Sequence, residues 1–143
     1  MPLWADMIIP MSTTKQILKE TRVSYSFRVN QNESNVNTSG WELPKQTKTV
    51  KGIQISADYP DKLYYRGSQR IEIGGEELFP EGFDSRMLMS SLAVAPRERF
   101  FDMGDVAPGD LSIKVRYKDV NHAKAPFVGG YKVTITLLID EVK

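Results

Sequence analysis

The chain of 143 residues contains no cysteine and one histidine, His122. Without cysteine there is no disulfide, no thiolate nucleophile and no zinc–thiolate centre. With one histidine, Ser-His-Asp chemistry and histidine-rich metal sites have almost no material. An excess of charge of one sign is missing too: 19 basic residues face 18 acidic ones, for a net charge of +1. That balance leaves no broad electrostatic footprint for nucleic acid or an anionic membrane. It also puts little repulsion between copies, so self-association is permitted. No segment approaches the run of about twenty apolar residues that spans a membrane. The lack of cysteine fits assembly in a reducing cytosol. The first ten residues carry no Lys or Arg ahead of their apolar part and include Pro2, Asp6 and Pro10. They are not read as a signal peptide. Asn32-Glu33-Ser34 and Asn37-Thr38-Ser39 match the glycosylation acceptor pattern; without secretion they read as polar loop.

What is present is alternation. Tyr131, Val133, Ile135, Leu137 and Ile139 recur at every second position, with Lys132, Thr134 and Thr136 between them. Val23, Tyr25, Phe27 and Val29 repeat the pattern, as do Leu111, Ile113, Val115 and Tyr117. Side chains of a strand point alternately to opposite faces, so these are strands with one buried and one wet side. A strand over 47–57 carries Val50 and Ile53 on opposite parities around Gly52, which calls for a β-bulge. Gly74-Gly75 between Gln69–Ile73 and Glu76–Phe79 predicts a tight hairpin. Pro80-Glu81-Gly82 is expected to end it. Leu63-Tyr64-Tyr65 reads as a short strand, 87–94 as strand or helix, and 98–103 as strand. The segments 30–40 and 122–130 read as loops, the first as the most mobile.

These signals predict an all-β fold: an antiparallel sandwich of about eight strands, a count that suits a jelly roll in particular, although periodicity does not separate it from another Greek-key sandwich. A single domain over 21–143 follows an N-terminal arm over 1–20, in which Ser12 could cap a short helix running to Lys19. Leu3, Trp4, Met7, Ile8 and Ile9 would be costly left in water, at roughly 1.5–3 kcal/mol for each large side chain. They are the arm's candidate interface.

Candidate chemistry is sparse. Glu76 and Glu77 adjoin in a strand and so point to opposite faces, which argues against a paired-carboxylate site. Asp102, Asp105 and Asp110 lie on a Gly-containing loop that could hold calcium, but the spacing is not that of an EF-hand, and turn chemistry accounts for them. Trp41, Tyr59, Tyr64 and Tyr65 could form an aromatic platform for a ligand, or serve as core and cross-strand partners. Arg66, Arg70, Arg97 and Arg99 could meet phosphates but form no basic stripe. No catalytic residue, cofactor or metal is assigned.

The segment Ile71-Glu72-Ile73-Gly74-Gly75-Glu76-Glu77-Leu78-Phe79-Pro80-Glu81-Gly82-Phe83-Asp84, the strand order over 47–140 and the apolar arm resemble small β-sandwich or jelly-roll capsid-associated proteins of bacteriophages. The resemblance implies a non-enzymatic structural protein of the virion, a penton or minor capsid component. Such a protein forms a homo-oligomer and contacts a major capsid or other shell protein, with no specific nucleic acid and no membrane span. The arm and the loops 30–46 and 119–130 are then the contact candidates. The alternative is a carbohydrate- or ligand-binding sandwich using Trp41, Tyr59, Tyr64 or Tyr65. A jelly-roll lyase or hydrolase using Glu76, Glu81 or Asp84 is a third reading, disfavoured because the histidine ligands of cupin-type sites are missing.

Overall fold

The computed structural model describes residues 17–91 and 93–142. It is a sandwich of two antiparallel sheets. Among the described residues nine strands run in chain order: β1 (Leu18–Val29), β2 (Asn35–Asn37), β3 (Trp41–Glu42), β4 (Thr47–Ala57), β5 (Gly67–Ile73), β6 (Glu76–Asp84), β7 (Phe101–Val106), β8 (Ser112–Asp119) and β9 (Tyr131–Val142). One sheet has the order β1-β9-β4-β7; the other has β2-β8-β5-β6, with β3 also on β8. The pairing is nested. The first strand pairs with the last, β2 and β3 with β8, β4 with β7 and β5 with β6.

The alternation sets the faces. Ile53, Ile55, Val133, Ile135 and Leu137 of one sheet meet Ile71, Ile73, Ile113, Val115 and Tyr117 of the other in one core. The bulge in β4 falls where the parity break requires it, as a register shift between Val50 and Gly52. Gly74 and Gly75 turn the β5–β6 hairpin at φ +61° and +85°, a region glycine enters without steric cost.

Several elements differ from expectation. Pro60–Arg66 is a short helix, α1, not a strand. Pro60 presets φ at its first turn, Asp61 favours the N-terminus, and Leu63 and Arg66, three apart, share its buried side. Pro80-Glu81-Gly82 does not end β6; the strand continues through Gly82, at φ +88°, to Asp84. Ser85–Leu88 and Pro96–Arg99 are 3₁₀ turns. Strand β7 therefore begins at Phe101, after Pro96 has favoured a turn, and runs through Gly104 to Val106, into the Gly-containing loop expected around Asp105. Part of the supposed mobile loop is β2, laid along β8 with Thr38 Oγ1 accepting from the Val115 amide at 3.0 Å. Leu18 and Lys19 are strand, not helix, because β1 pairs with β9 from Leu18 onward. The apolar arm residues Leu3, Trp4, Met7, Ile8 and Ile9, and Ser12 of the expected helix, lie outside the described residues. Among the described residues no helix is long and apolar enough to cross a membrane.

Ile135, buried at the centre of β9, tests the inward face. Ile135→Asp places an unpartnered charge in the core and should cost about 4 kcal/mol or more. The expected result in urea is a chain already unfolded, or with a midpoint near zero; a cooperative transition close to that of the unaltered chain would refute the assignment.

Candidate functional site

At one end of the sandwich the chain leaves β1 and β4, passes through α1, and returns from β8 to β9. A charged pair with no exposed side-chain surface, Arg66 and Asp119, ties these connections together. The guanidinium meets the carboxylate twice, Nε to Oδ1 at 3.0 Å and Nη2 to Oδ2 at 2.8 Å. Its remaining donors reach Asn121 Oδ1 at 3.0 Å, the Ala125 carbonyl at 2.9 Å and Asn32 Oδ1. Asp119 also accepts from the Tyr131 hydroxyl at 2.5 Å and the Glu33 amide at 2.9 Å. Tyr117 in turn donates to the Tyr131 hydroxyl at 2.7 Å. Two buried charges are tolerated only when paired and fully hydrogen-bonded, and among the described residues no buried side-chain nitrogen or oxygen lacks a partner.

Gly67 closes the knot from the sheet side. A Cβ there would lie 2.3 Å from the Tyr117 hydroxyl and 2.8 Å from Ser85 Oγ, so only glycine lets α1 pass into β5 at this point. Burial opposes the charge on Asp119, but Arg66, Tyr131 and the Glu33 amide outweigh it and hold the carboxyl below its ordinary value. Burial raises the Tyr117 and Tyr131 phenols.

Of nine exposed large apolar side chains among the described residues, five stand on or beside this end: Tyr59, Tyr64, Tyr65, Val120 and Val128, the last 85% exposed. Tyr65 stacks on His122 at 5.0 Å and meets Tyr64 edge-on at 4.9 Å. Lys124 lies over the Tyr65 ring at 5.8 Å and Lys62 over Tyr59 at 4.7 Å. Two adjacent clefts result. One, of about 340 Å³, is lined by Tyr64, Tyr65, Ser68, Asp84, Arg86 and His122. The other, of about 270 Å³, is lined by Tyr59, Lys62, Lys124, Pro126 and Val128. This surface is apolar with charges of both signs, Lys62, Lys124 and Arg86 beside Asp61 and Asp84, and the buried knot holds it from beneath.

The aromatic set does not form one platform. Tyr59, Tyr64 and Tyr65 share this end, but Trp41 stacks on Tyr25 at 5.2 Å at the side of the core. The loop 30–46 divides similarly. Asn32 and Glu33 join the knot, whereas β2 and β3 lie along β8. The acids do not converge. Glu77 and Glu72 pair with Arg70, Glu81 with Arg116 and Asp84 with Arg86. Asp102 accepts from the Gly104 amide, and Asp110 from the Ser112 amide and hydroxyl, which are local turn contacts. No group of three metal-ligating side chains occurs among the described residues. Arg66, read from the sequence only as an arginine that could meet phosphate, is the central buried group. Asp119 carried a visible signal, since it continues the inward parity of Ile113, Val115 and Tyr117.

Comparison with known proteins adds nothing to this picture: no protein-family model, curated protein or solved structure matches the chain.

Arg66→Met leaves Asp119 buried and unpaired and should cost about 3–5 kcal/mol, whereas Arg66→Met with Asp119→Leu recovers most of it. Urea unfolding measures both; a loss below about 1 kcal/mol in the single variant would refute the role. Because the folded carboxyl lies below its ordinary value of 3.8, its stabilisation is present above pH 3.8 and disappears as pH falls toward the lower folded value. A melting-temperature series should show that acid-side loss, and Asp119→Asn, already destabilised at neutral pH, should lack this component.

Proposed function

We propose that the chain is a non-enzymatic structural protein of a viral particle, a penton or minor capsid component. It assembles with copies of itself and docks on a shell protein. The observation that carries this reading is the loop end: exposed Tyr59, Tyr64, Tyr65, Val120 and Val128 presented on connections fixed by the buried Arg66–Asp119 pair. Aromatic side chains on a preorganised surface suit docking, because little freedom remains to be lost on contact. The nested strand order supports the jelly roll, an architecture that serves viral capsids as well as lectins and cupins. Glu77, Glu81 and Asp84, paired with arginines, and Asp102 and Asp110, engaged in local backbone contacts, favour docking over turnover.

Light scattering on the purified full chain should give a mass of several copies. Removal of residues 1–11 should leave the β-type circular dichroism and melting transition in place and lower that mass. A monomer at all concentrations, or a truncated chain that assembles as before, would overturn the reading.

The cleft beside Tyr64, Tyr65 and His122, with Ser68, Asp84 and Arg86 on its walls, favours the second reading, a carbohydrate-binding module. A monomer that binds a glycan array and loses binding in Tyr64→Ala, with its fold intact, would establish it. Trp41→Ala is the wrong probe, since that ring packs on Tyr25 and Phe27.

A further inference from the structure

Among the described residues the two sheets end in four edges, and three of them are guarded. Strand β7 is six residues long, is bulged against β4 and turns at Gly104, whose amide is taken by Asp102 Oδ1 at 2.8 Å. Strand β6 carries Pro80, Gly82 at φ +88° and two register shifts. Strands β2 and β3 span three and two residues. Proline, bulges and shortness are three of the devices that stop another strand from adding to a sheet; charged side chains, which β1 carries at Lys19, Glu20, Arg22 and Arg28, are a weaker fourth.

The fourth edge has none of the first three. Strand β1 runs for 12 residues and pairs with β9 one for one, without a shift. It contains no proline or glycine, and its inward parity carries one charge, the exposed Lys19 at the strand's start, followed by uncharged Thr21, Val23, Tyr25, Phe27 and Val29. Val23, Tyr25 and Phe27 are only partly buried against the core. A long regular edge with a half-covered apolar rim is a template for an added strand.

The N-terminal sequence contains a segment that fits. Residues 3–9 are bracketed by Pro2 and Pro10 and place Leu3, Ala5, Met7 and Ile9 on one parity, with Trp4, Asp6 and Ile8 on the other. As an edge strand it would lay an uncharged apolar side over Val23, Tyr25 and Phe27, with proline at the ends, where edge strands tolerate it.

We propose that residues 3–9 of a second copy add antiparallel to the free edge of β1. This rests on the reading of the chain as a self-assembling protein and names the surface through which it assembles. A second copy is favoured over the same chain by the linker. Residues 10–17 separate the segment from β1, eight residues where hairpin loops take two to five. Extended, those eight reach about 26 Å, enough to cross to a neighbour. Passed head to tail, such an arm closes a ring.

The chain has no cysteine, so single cysteines report the contact cleanly. Asp6→Cys and, separately, Arg22→Cys, Ser24→Cys and Ser26→Cys would be prepared in the full chain, mixed pairwise and oxidised. The expected result is a disulfide-linked pair of unlike chains for at least one partner position. In addition, amide exchange over residues 18–29 should quicken severalfold when residues 1–11 are removed, with the rest of the sandwich unchanged. In a chain carrying both Asp6→Cys and Ser24→Cys, a cross-link only within one chain would show the segment folded onto its own copy, and a homodimer of the single Ser24→Cys variant would show β1 paired with β1; either overturns the proposal. An assembly of several copies with no cross-link and no change in exchange over β1 overturns it while leaving the proposed function standing, whereas a monomer overturns both.

Discussion

The loop end of this sandwich depends on one ion pair placed where water cannot reach it. Arg66 closes α1 and Asp119 closes β8, residues 53 positions apart in the chain. Between them they engage Asn32 and Glu33 after β1, Asn121 and Ala125 in the connection to β9, and Tyr131 at the start of β9. Hydrophobic burial could fill that volume, but it is non-directional and would not fix where each connection lies. One bidentate contact of two hydrogen bonds, with the hydrogen bonds around it, specifies one arrangement. Breaking either partner leaves a charge in an apolar medium, so the connections are held together or released together.

The opposite design governs the edges. Where strands could recruit others, the chain spends bulges, a proline and short lengths to prevent it, and β1 stands apart as long and even. Among the described residues two places stand out for contact: the exposed rings on the fixed loop end and the long unshifted edge of β1. Its flat charge balance removes long-range repulsion as an obstacle to either.

Much of this was legible in the chain before folding. Period-two patterns located β1, β8 and β9 to within a few residues, because one buried face forces the alternation. Gly74-Gly75 marked its hairpin, and the parity break around Gly52 marked its bulge. Helix α1 was not legible: Leu63-Tyr64-Tyr65 has the composition of a strand, and only the spacing of Leu63 and Arg66 on one helical side, unreadable in so short a stretch, says otherwise. Strand β2 was hidden because its residues are polar and its pairing is supplied by β8. Of the candidate site, Asp119 could be read as a charge on an inward parity, but its partner could not, since no local rule connects it to Arg66.

The hydroxyl pair of Tyr117 and Tyr131 gives the same knot a second limit. Burial raises both phenols above the ordinary 10.0, and the Tyr117 oxygen and Asp119 carboxylate push Tyr131 further. An unfolded chain can ionise these groups in alkali while the native one resists, so their contribution holds below pH 10.0 and drains away above it. Protons added to a carboxylate and protons stripped from two phenols therefore loosen one clasp from opposite directions. The loop end is bounded by acid on one side and base on the other, both acting through groups that never touch solvent in the native state.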